Sequence, residues 1–231
     1  MIPALIYYLI KKYKKNTFLD KRIAVIKKLA QKVKLMLFLL VATTNLHALN
    51  DSSISNVITY NVVKNNTVIG TIKINKQIFK DSVSYTLESN IETQFILKFK
   101  ITGKEKSVYK DDVLTYSSVF RTVNNKVKTN HSINLKKGQY NFTSSKSITT
   151  LSFNPIKHNL ITMYFNEPIG VQYVFCDNLN QMVRVKTIKN GIYKVEFSKG
   201  KYNIFYYKNG KCVKIEAYSS LFDVTLIPAK L

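Results

Sequence analysis

Hydrophobic and polar residues alternate most clearly between residues 182 and 217. A period of two is typical of β-strands that bury one face and expose the other. The alternating runs are separated at 190–191, 199–200 and 209–210 by Asn-Gly or Lys-Gly pairs, and Asn-Gly supplies the positive φ angles of tight hairpin turns. The pattern predicts a four-stranded antiparallel meander. Its predicted core-facing residues are Val183, Val185, Tyr193, Val195, Phe197, Val213, Ile215 and Ala217.

The region before residue 182, from about residue 58 onward, repeats this pattern less regularly. Apolar residues alternate with polar ones around 58–62, 72–74, 85–91 and 97–101, and pairs such as Asn65-Asn66 and Asp111-Asp112 mark turns between them. The sequence thus predicts an all-β fold. We expect an antiparallel meander that forms a strongly curved sheet or open barrel of roughly ten strands, with residues 49–231 as a single domain.

One segment departs from the strand pattern. Residues 159–165 are predicted to form a short helix capped by Asn159 and ended before Pro168. Binding groups often collect on such irregular segments, so Tyr164, Phe165 and Glu167 are candidate ligand-binding residues. In the alternative interpretation the segment is a plug, with both aromatic rings filling the barrel end and Glu167 paired with a lysine.

The N-terminal region has the order of an export signal. An apolar run of eight residues, 35–42, follows a lysine-rich stretch and precedes small and polar residues that end at Ala48. The run is far shorter than the ~20 apolar residues that cross a bilayer as a helix. We therefore expect residues 1–48 to be an export signal region, whose start is placed too far upstream. The alternative is an amphipathic membrane-surface helix before residue 37. The mature chain is expected in the periplasm or outside the cell, with no transmembrane segment.

The charge of the chain is strongly positive. The formal net charge is +23, and residues 49–231 hold 26 basic and 12 acidic residues. Such a balance favours anionic partners in general. Only three of the 36 basic residues are arginines, although phosphate-binding proteins tend to enrich arginine. Nucleic acid is therefore an unlikely partner, and the lysines are interpreted mainly as solvated strand faces.

Cys176 and Cys212 are the only cysteines. Export into an oxidising compartment permits a disulfide bond between them. The alternative is that both are small buried hydrophobic residues. The spacing of the two residues does not decide between these interpretations.

The sequence lacks the local signatures of common catalytic and metal sites. There is no HExxH, paired CxxC, GxSxG or glycine-rich phosphate loop. His131 lies within strand residues, where a structural role is the expected one. Glu88 and Glu92 share one strand face about 13 Å apart, which is too far for a catalytic pair. We expect a non-catalytic protein without metal or cofactor.

Several short motifs resemble a known family. These are Tyr60-Asn61-Val62, Tyr85-Thr86-Leu87-Glu88-Ser89, Tyr164-Phe165-Asn166-Glu167-Pro168 and Tyr206-Tyr207-Lys208-Asn209-Gly210. Over residues 55–228 the chain is similar to an uncharacterised family of exported proteins, mostly from Bacteroidetes, that is known only as a domain of unknown function. The chain departs from the family pattern at Cys176-Asp177 and at Lys199-Gly200. The resemblance implies an all-β fold and a bacterial envelope location, and it implies no activity.

Two functions are favoured by these features, and an enzyme is a third, less favoured hypothesis that acidic residues converging in a cleft would support. The first is a non-catalytic envelope protein that binds or carries an apolar or amphipathic ligand. The alternative is a structural or partner-binding envelope protein that uses strand edges and basic faces. A deep internal pocket would favour the first function, and a filled core with a flat exposed patch would favour the second.

Cleavage after export is the first testable prediction. N-terminal sequencing of protein from the envelope fraction should give a mature chain that begins close to residue 49, because the small residue Ala48 follows the apolar run. A mature chain that still begins at Met1 would contradict the export signal.

Overall fold

The computed structural model describes residues 54–94, 98–219 and 223–229. The predicted signal region, residues 1–48, lies outside the described residues. The described part is all-β, as predicted, and contains one short 3₁₀ helix, Leu160–Tyr164. Within it, no helix has the length and apolarity to cross a bilayer. The strands are β1 (Ile54–Lys64), β2 (Thr67–Ile78), β3 (Val83–Gln94), β4 (Lys98–Lys110), β5 (Val113–Val123), β6 (Lys126–Lys136), β7 (Gln139–Ser144), β8 (Ile148–Leu151), β9 (Tyr173–Cys176), β10 (Gln181–Lys189), β11 (Ile192–Ser198), β12 (Lys201–Lys208), β13 (Lys211–Tyr218) and β14 (Val224–Pro228).

All fourteen strands belong to one antiparallel sheet. Its order is β8-β7-β6-β5-β4-β3-β2-β1-β14-β13-β12-β11-β10-β9. Every neighbouring pair is therefore a sequence neighbour, except that β1 pairs with β14 at the centre, where Tyr60 lies opposite Pro228. The two edges, β8 and β9, are consecutive in the chain and are joined by residues 152–172.

The sheet must curl strongly on itself. Strand β5 and the end of β9 are ten places apart in the sheet order. At about 4.8 Å per strand they would be about 48 Å apart in a flat sheet. Yet Ser117 on β5 donates a hydrogen bond to Asp177, the residue directly after β9. The predicted curved sheet or open barrel is thereby confirmed.

The hairpin turns follow the predicted polar pairs. Both residues have positive φ at Asn65-Asn66, Asp111-Asp112 and Asn124-Asn125, with angles between 48° and 62°. Asn and Asp tolerate this left-handed conformation better than other residues with a side chain. The predicted meander at 182–217 is also confirmed, since β10 to β13 pair in sequence through turns at the three predicted positions.

Alternating apolar and polar residues along each strand lie on opposite faces of the sheet, an inner and an outer one. Buried residues such as Tyr60, Ile74, Val195 and Ile215 form one continuous hydrophobic core on the inner face. The alternate positions face solvent, where Glu88 pairs with Lys104 at 3.1 Å. The interpretation of Glu88 as part of a solvated strand face is correct.

Two details of the sheet differ from the prediction. The sequence predicts roughly ten strands, whereas the described residues form fourteen, because strands of only four to six residues, such as β8, β9 and β14, are too short to show an alternation. The alternation also predicts Val213 in the core, but Val213 is 40% exposed. The register of β12 and β13 shifts here, since Tyr206 pairs with Lys214 and Tyr207 with Cys212. Val213 is the extra residue of this bulge, and Cys212 is buried instead.

The segment that connects the two sheet edges runs across the inner face. We call residues 152–172 the crossover segment. Near its start, the Leu114 amide donates to the Ile156 carbonyl at 2.8 Å, and the Ile156 amide donates to the Tyr140 hydroxyl at 3.0 Å. Near its middle, Tyr207 on β12 donates to the Met163 carbonyl at 2.5 Å. The crossover segment is thus bonded to both halves of the curved sheet.

The face assignment on β11 predicts different effects at neighbouring positions. Val195→Asp should lower the free energy of unfolding by several kcal/mol, on the order of 3 or more, because it buries a carboxylate at a fully buried site. Lys194→Asp should cost about 1 kcal/mol or less, because Lys194 makes only a partly exposed ion pair with Glu196 and a contact with the Tyr202 ring. Urea unfolding of both variants measures this difference, and equal losses would show that the faces are assigned wrongly.

Candidate functional site

The aromatic pair predicted as ligand-binding lies against the core. The ring of Tyr164 contacts Tyr60 on β1 and Phe205 on β12, with ring centroids 5.6 Å and 6.1 Å apart. Phe165 packs on Tyr85 of β3 at 5.6 Å. Edge-on contacts of this kind stabilise a packed interior. These contacts are those of the plug described by the alternative interpretation, and a ligand-binding role of the two rings stays a prediction.

Glu167 has a different partner from the one expected. Its carboxylate accepts a hydrogen bond from the Tyr193 hydroxyl at 2.8 Å. The plug interpretation expected a lysine here. Because Tyr193 belongs to β11, this contact attaches the end of the crossover segment to the second half of the sheet.

A buried polar cluster fixes the start of the 3₁₀ helix. The Asn159 side-chain amide donates to the Ser107 hydroxyl at 2.8 Å and to the Asp177 carboxylate at 2.9 Å. Ser117 donates to the other carboxylate oxygen. The short helix was predicted correctly, but its capping was not, because the Asn159 side chain makes no capping hydrogen bond. The side chain instead bonds Ser107 and Asp177.

Histidine 131 belongs to the same cluster. Its Nε2 atom lies 2.8 Å from the main-chain oxygen of Asp177, and its ring lies 5.2 Å from that of Phe142. These contacts fit the structural role expected for a strand histidine. No group of three or more metal-ligating side chains occurs within 54–94, 98–219 and 223–229.

Burial changes the titration of Asp177. Desolvation raises the pKa of its carboxyl from 3.8 to about 7, and the hydrogen bonds from Ser117 and Asn159 oppose only part of this rise. Two further polar atoms nearby, the Tyr109 hydroxyl and Asn159 Oδ1, are buried without a hydrogen-bond partner among the described residues. The cluster therefore places a carboxyl group that titrates near neutral pH where the crossover segment is attached.

A second set of inward-facing residues is open to solvent. The pairing register aligns Tyr60, Ile72, Ser89, Gly103 and Arg121 in one row across five strands. Tyr60 is fully buried, which identifies the row as part of the inner face. Beyond Tyr60, however, the row is only partly covered. We define the inner patch as six neighbouring residues of this face that are partly exposed: Ile72, Ser89, Ile91, Ile101, Glu105 and Arg121.

The inner patch contains an ion pair. Arg121 Nη2 lies 2.9 Å from Glu105 Oε1, and the two side chains are 36% and 20% exposed. Removing an ion pair from water costs desolvation free energy. That cost is smaller here, because both side chains remain partly exposed to solvent. Apolar residues of the next row, Ile91 and Ile101, adjoin it. The patch thus combines apolar wall with a charged and hydrogen-bonding centre, as ligand sites commonly do.

A groove lies beside residues 152–158, at the start of the crossover segment. Its volume is about 540 Å³. Its walls are the start of the crossover segment and two exposed apolar side chains next to the edge of the sheet, Tyr173 on β9 and Met182 on β10. His158 also lines this groove.

The two cysteines are free and buried in this structure. Cys212 lies beside Tyr60, whose hydroxyl donates to the Cys212 carbonyl at 3.1 Å. Both thiols thus occupy positions of small buried hydrophobic residues, which is the alternative to a disulfide bond. Burial raises the pKa of each thiol to about 11, which keeps both protonated at neutral pH.

Sequence reasoning missed the residues at the centre of both polar groups. Asp177 and Ser117 come from distant parts of the chain, so no local pattern brings them together. Glu105 and Arg121 did carry a signal. Each lies two residues from an inward-facing residue, Gly103 and Val119 respectively, and a charged residue in the core phase of a strand is unusual.

The titration of Asp177 predicts how stability depends on pH. Its folded pKa is raised above the unfolded value, so its stabilising contribution is complete below the unfolded pKa and is lost as pH rises through about 7. Between about pH 5 and about pH 9 the loss should be on the order of 3 kcal/mol, from 1.36 kcal/mol per pKa unit. Asp177→Asn cannot ionise, and its stability should change with pH by that much less.

Urea unfolding of the full chain over this pH range measures the effect. Asp111→Asn is a suitable control, because Asp111 is an exposed turn residue with positive φ, a conformation that Asn tolerates. Its stability curve should follow that of the wild type. An Asp177→Asn curve parallel to the wild type would contradict a carboxyl that ionises near neutral pH.

Comparison with known proteins yields a family and a fold. No curated protein matches the chain. A solved structure described as a beta-barrel-like protein of domain of unknown function DUF1849 from Brucella abortus is similar, with a TM-score of 0.50 at 9% identity. The match covers 77% of this chain and 96% of the other, and it shows a shared fold only. The domain of unknown function DUF6134 matches residues 60–229. The chain therefore belongs to the DUF6134 family.

Proposed function

We propose that the protein is an exported, non-catalytic protein of the bacterial envelope that binds an apolar or amphipathic ligand at the inner patch. One observation carries this proposal. Inward-facing Ile72 and Ile91 pack against the buried core and yet remain partly exposed, as does Ile101, which lies opposite Ile91 in the register. A chain that needed only stability would gain from covering the apolar area that is still exposed, at about 25 cal/mol per Å².

The crossover segment limits where on the inner face a ligand could lie. Tyr164 and Phe165 pack against aromatic rings of β1, β3 and β12 and so occupy that part of the interior. Tyr164 packs against Tyr60, and Tyr60 lies opposite Ile72 in the register. The plug would therefore form the inner end of the binding site rather than its lid.

The envelope location rests on the sequence. The basic, apolar and small residues between 27 and 48 have the order of an export signal. An apolar or amphipathic ligand is a suitable cargo for a protein between two membranes, because such a molecule needs cover from water while it crosses.

Partner binding is the second candidate function. The 540 Å³ groove lies beside an edge strand, β9, and exposes Tyr173 by 53% and Met182 by 39%. An edge strand offers unpaired backbone groups to an extended peptide. On β9 the Phe175 amide already donates to the His158 carbonyl, so a peptide would meet the remaining groups of this edge. This groove is separate from the inner patch in the residues that line it.

Filling the inner patch tests the proposed function. Ile72→Trp adds a large ring to the inner face, whereas Lys73→Trp adds the same ring to the exposed outer face one residue away. With a fluorescent fatty-acid probe, Ile72→Trp should bind ~10-fold more weakly or worse, because each lost CH₂ contact costs ~0.8 kcal/mol. Lys73→Trp should bind like the wild type.

Melting temperatures of both variants separate a blocked site from a damaged fold. Weaker probe binding by Ile72→Trp at an unchanged melting temperature supports the site. A wild-type protein that binds no apolar probe, or two variants that bind it equally well, would contradict binding at the inner patch.

A further inference from the structure

Arg121 is an unusual residue for its position. The chain has only three arginines among 36 basic residues. Arg184, on β10, is exposed, whereas Arg121 faces inward in the same row as the buried Tyr60. Within the described part of the chain it is the only arginine on the inner face. A guanidinium on the inner face of a sheet needs hydrogen-bond acceptors, because a polar group without partners is costly to bury.

Glu105 satisfies only part of the hydrogen-bonding capacity of Arg121. The guanidinium has five N–H donors, and the contact with Glu105 Oε1 uses Nη2. Among the described residues Glu105 is its only hydrogen-bond partner. The ion pair therefore orients the guanidinium while leaving donors free for another acceptor, as a carboxylate does for a histidine in many sites.

A hydroxyl group lies next to the guanidinium. The position that a Cβ atom would take on Gly103 is 2.6 Å from Ser89 Oγ and 3.9 Å from Arg121 Nε. Both groups thus lie over the same small residue, close enough to bind one acceptor between them. The Ser89 hydroxyl has no hydrogen-bond partner among the residues described here.

The other charged and polar groups described near Arg121 leave its remaining N–H donors unoccupied. Glu105 on β4 is paired with Arg121, and Asp177, after β9, bonds Ser117 and Asn159 instead. Tyr164 from the crossover segment contributes a neutral hydroxyl. An anion that approaches Arg121 from the Ser89 side would meet Nε without displacing Glu105. The positive net charge of the chain raises the local concentration of anions.

We propose that Arg121 and Ser89 bind the anionic head group of a single-chain amphiphile whose apolar tail lies on Ile72, Ile91 and Ile101. This rests on the proposed function and names its ligand class. The head group is a carboxylate or a phosphate monoester, since both present oxygens that a guanidinium and a hydroxyl can bind together. A neutral head group of the same chain length would leave these donors unsatisfied.

The test compares ligands that differ only in their head groups. Calorimetric titrations would use hexadecanoate, hexadecyl phosphate, hexadecanol and inorganic phosphate with the full chain. The two anionic amphiphiles should bind ~10–100-fold more tightly than the alcohol, as expected for a charge-assisted hydrogen bond worth ~1.5–3 kcal/mol. Inorganic phosphate alone should bind far more weakly than hexadecyl phosphate.

Variants then assign the preference to named groups. Arg121→Met should remove the preference for anionic head groups and leave hexadecanol binding nearly unchanged. Arg184→Met, which removes the exposed arginine of the outer face, should keep it. Arg121→Lys keeps the ion pair with Glu105 but loses the planar fork, so the preference should shrink without vanishing. This variant keeps the test decisive where Arg121→Met fails to fold. Ser89→Ala should reduce the preference by a smaller factor.

The outcomes separate the two levels of the proposal. Equal binding of hexadecanol and hexadecanoate by the wild type overturns the head-group assignment and leaves the proposed function standing. Binding of none of the long-chain compounds overturns both. Binding of inorganic phosphate as tight as that of hexadecyl phosphate overturns the amphiphile class. A preference that persists in Arg121→Met and Arg121→Lys overturns the role of Arg121.

Discussion

The structure depends on covering the inner face of a sheet that does not close. Strands β8 and β9 form two edges, so the sheet cannot hold its curvature through hydrogen bonds between first and last strands. The crossover segment supplies the missing connection. It leaves one edge, packs Tyr164 and Phe165 between the two halves, and enters the other edge. The same segment therefore contributes to the core and links the two halves of the curved sheet.

The start of the 3₁₀ helix in this segment is attached through polar groups. Asn159 and Asp177 bond serines of β4 and β5, and His131 of β6 bonds the Asp177 main chain. Burying these groups costs free energy unless they are all paired, whereas apolar contacts tolerate many arrangements. Directional bonds of this kind suit a place where Asn159 and the end of β9 must meet β4, β5 and β6 in one arrangement. The pKa of Asp177 is raised because burial removes water from its carboxylate and so disfavours the ionised form.

The inner face is not covered uniformly. Asp177, Asn159, Ser107 and Ser117 are buried, whereas Ile91 and Ile101 are partly exposed. The two polar groups differ accordingly. The Asp177 cluster directs its hydrogen bonds to the protein itself, whereas the Arg121–Glu105 pair is in contact with solvent and retains unused donors. This contrast is the physical basis for interpreting the first as structural and for proposing the second as a binding site.

Local sequence determined the fold class. Period-two alternation on β10 and β11 and the Asn-Asn, Asp-Asp and Asn-Gly turns depend on neighbours in the chain, so they can be read without the fold. The short helix was equally visible, because Pro168 and the loss of alternation are local features. The number of strands was less accessible, since β8, β9 and β14 owe their form to pairing partners. The exposure of Val213 depends on a bulge against β12, which no local pattern encodes.

The candidate site was decided almost entirely by tertiary structure. The sequence placed Tyr164, Phe165 and Glu167 on the one irregular segment, but only the packing shows that the rings fill the core and that Glu167 bonds Tyr193. Strand order brings Ser89, Gly103 and Arg121 into one row although they are 14 and 18 residues apart. Curvature brings Asp177 to Ser117 across 60 residues. Alternation specifies which face a side chain occupies, whereas register and curvature specify its neighbours, and those arise only when the whole sheet has formed.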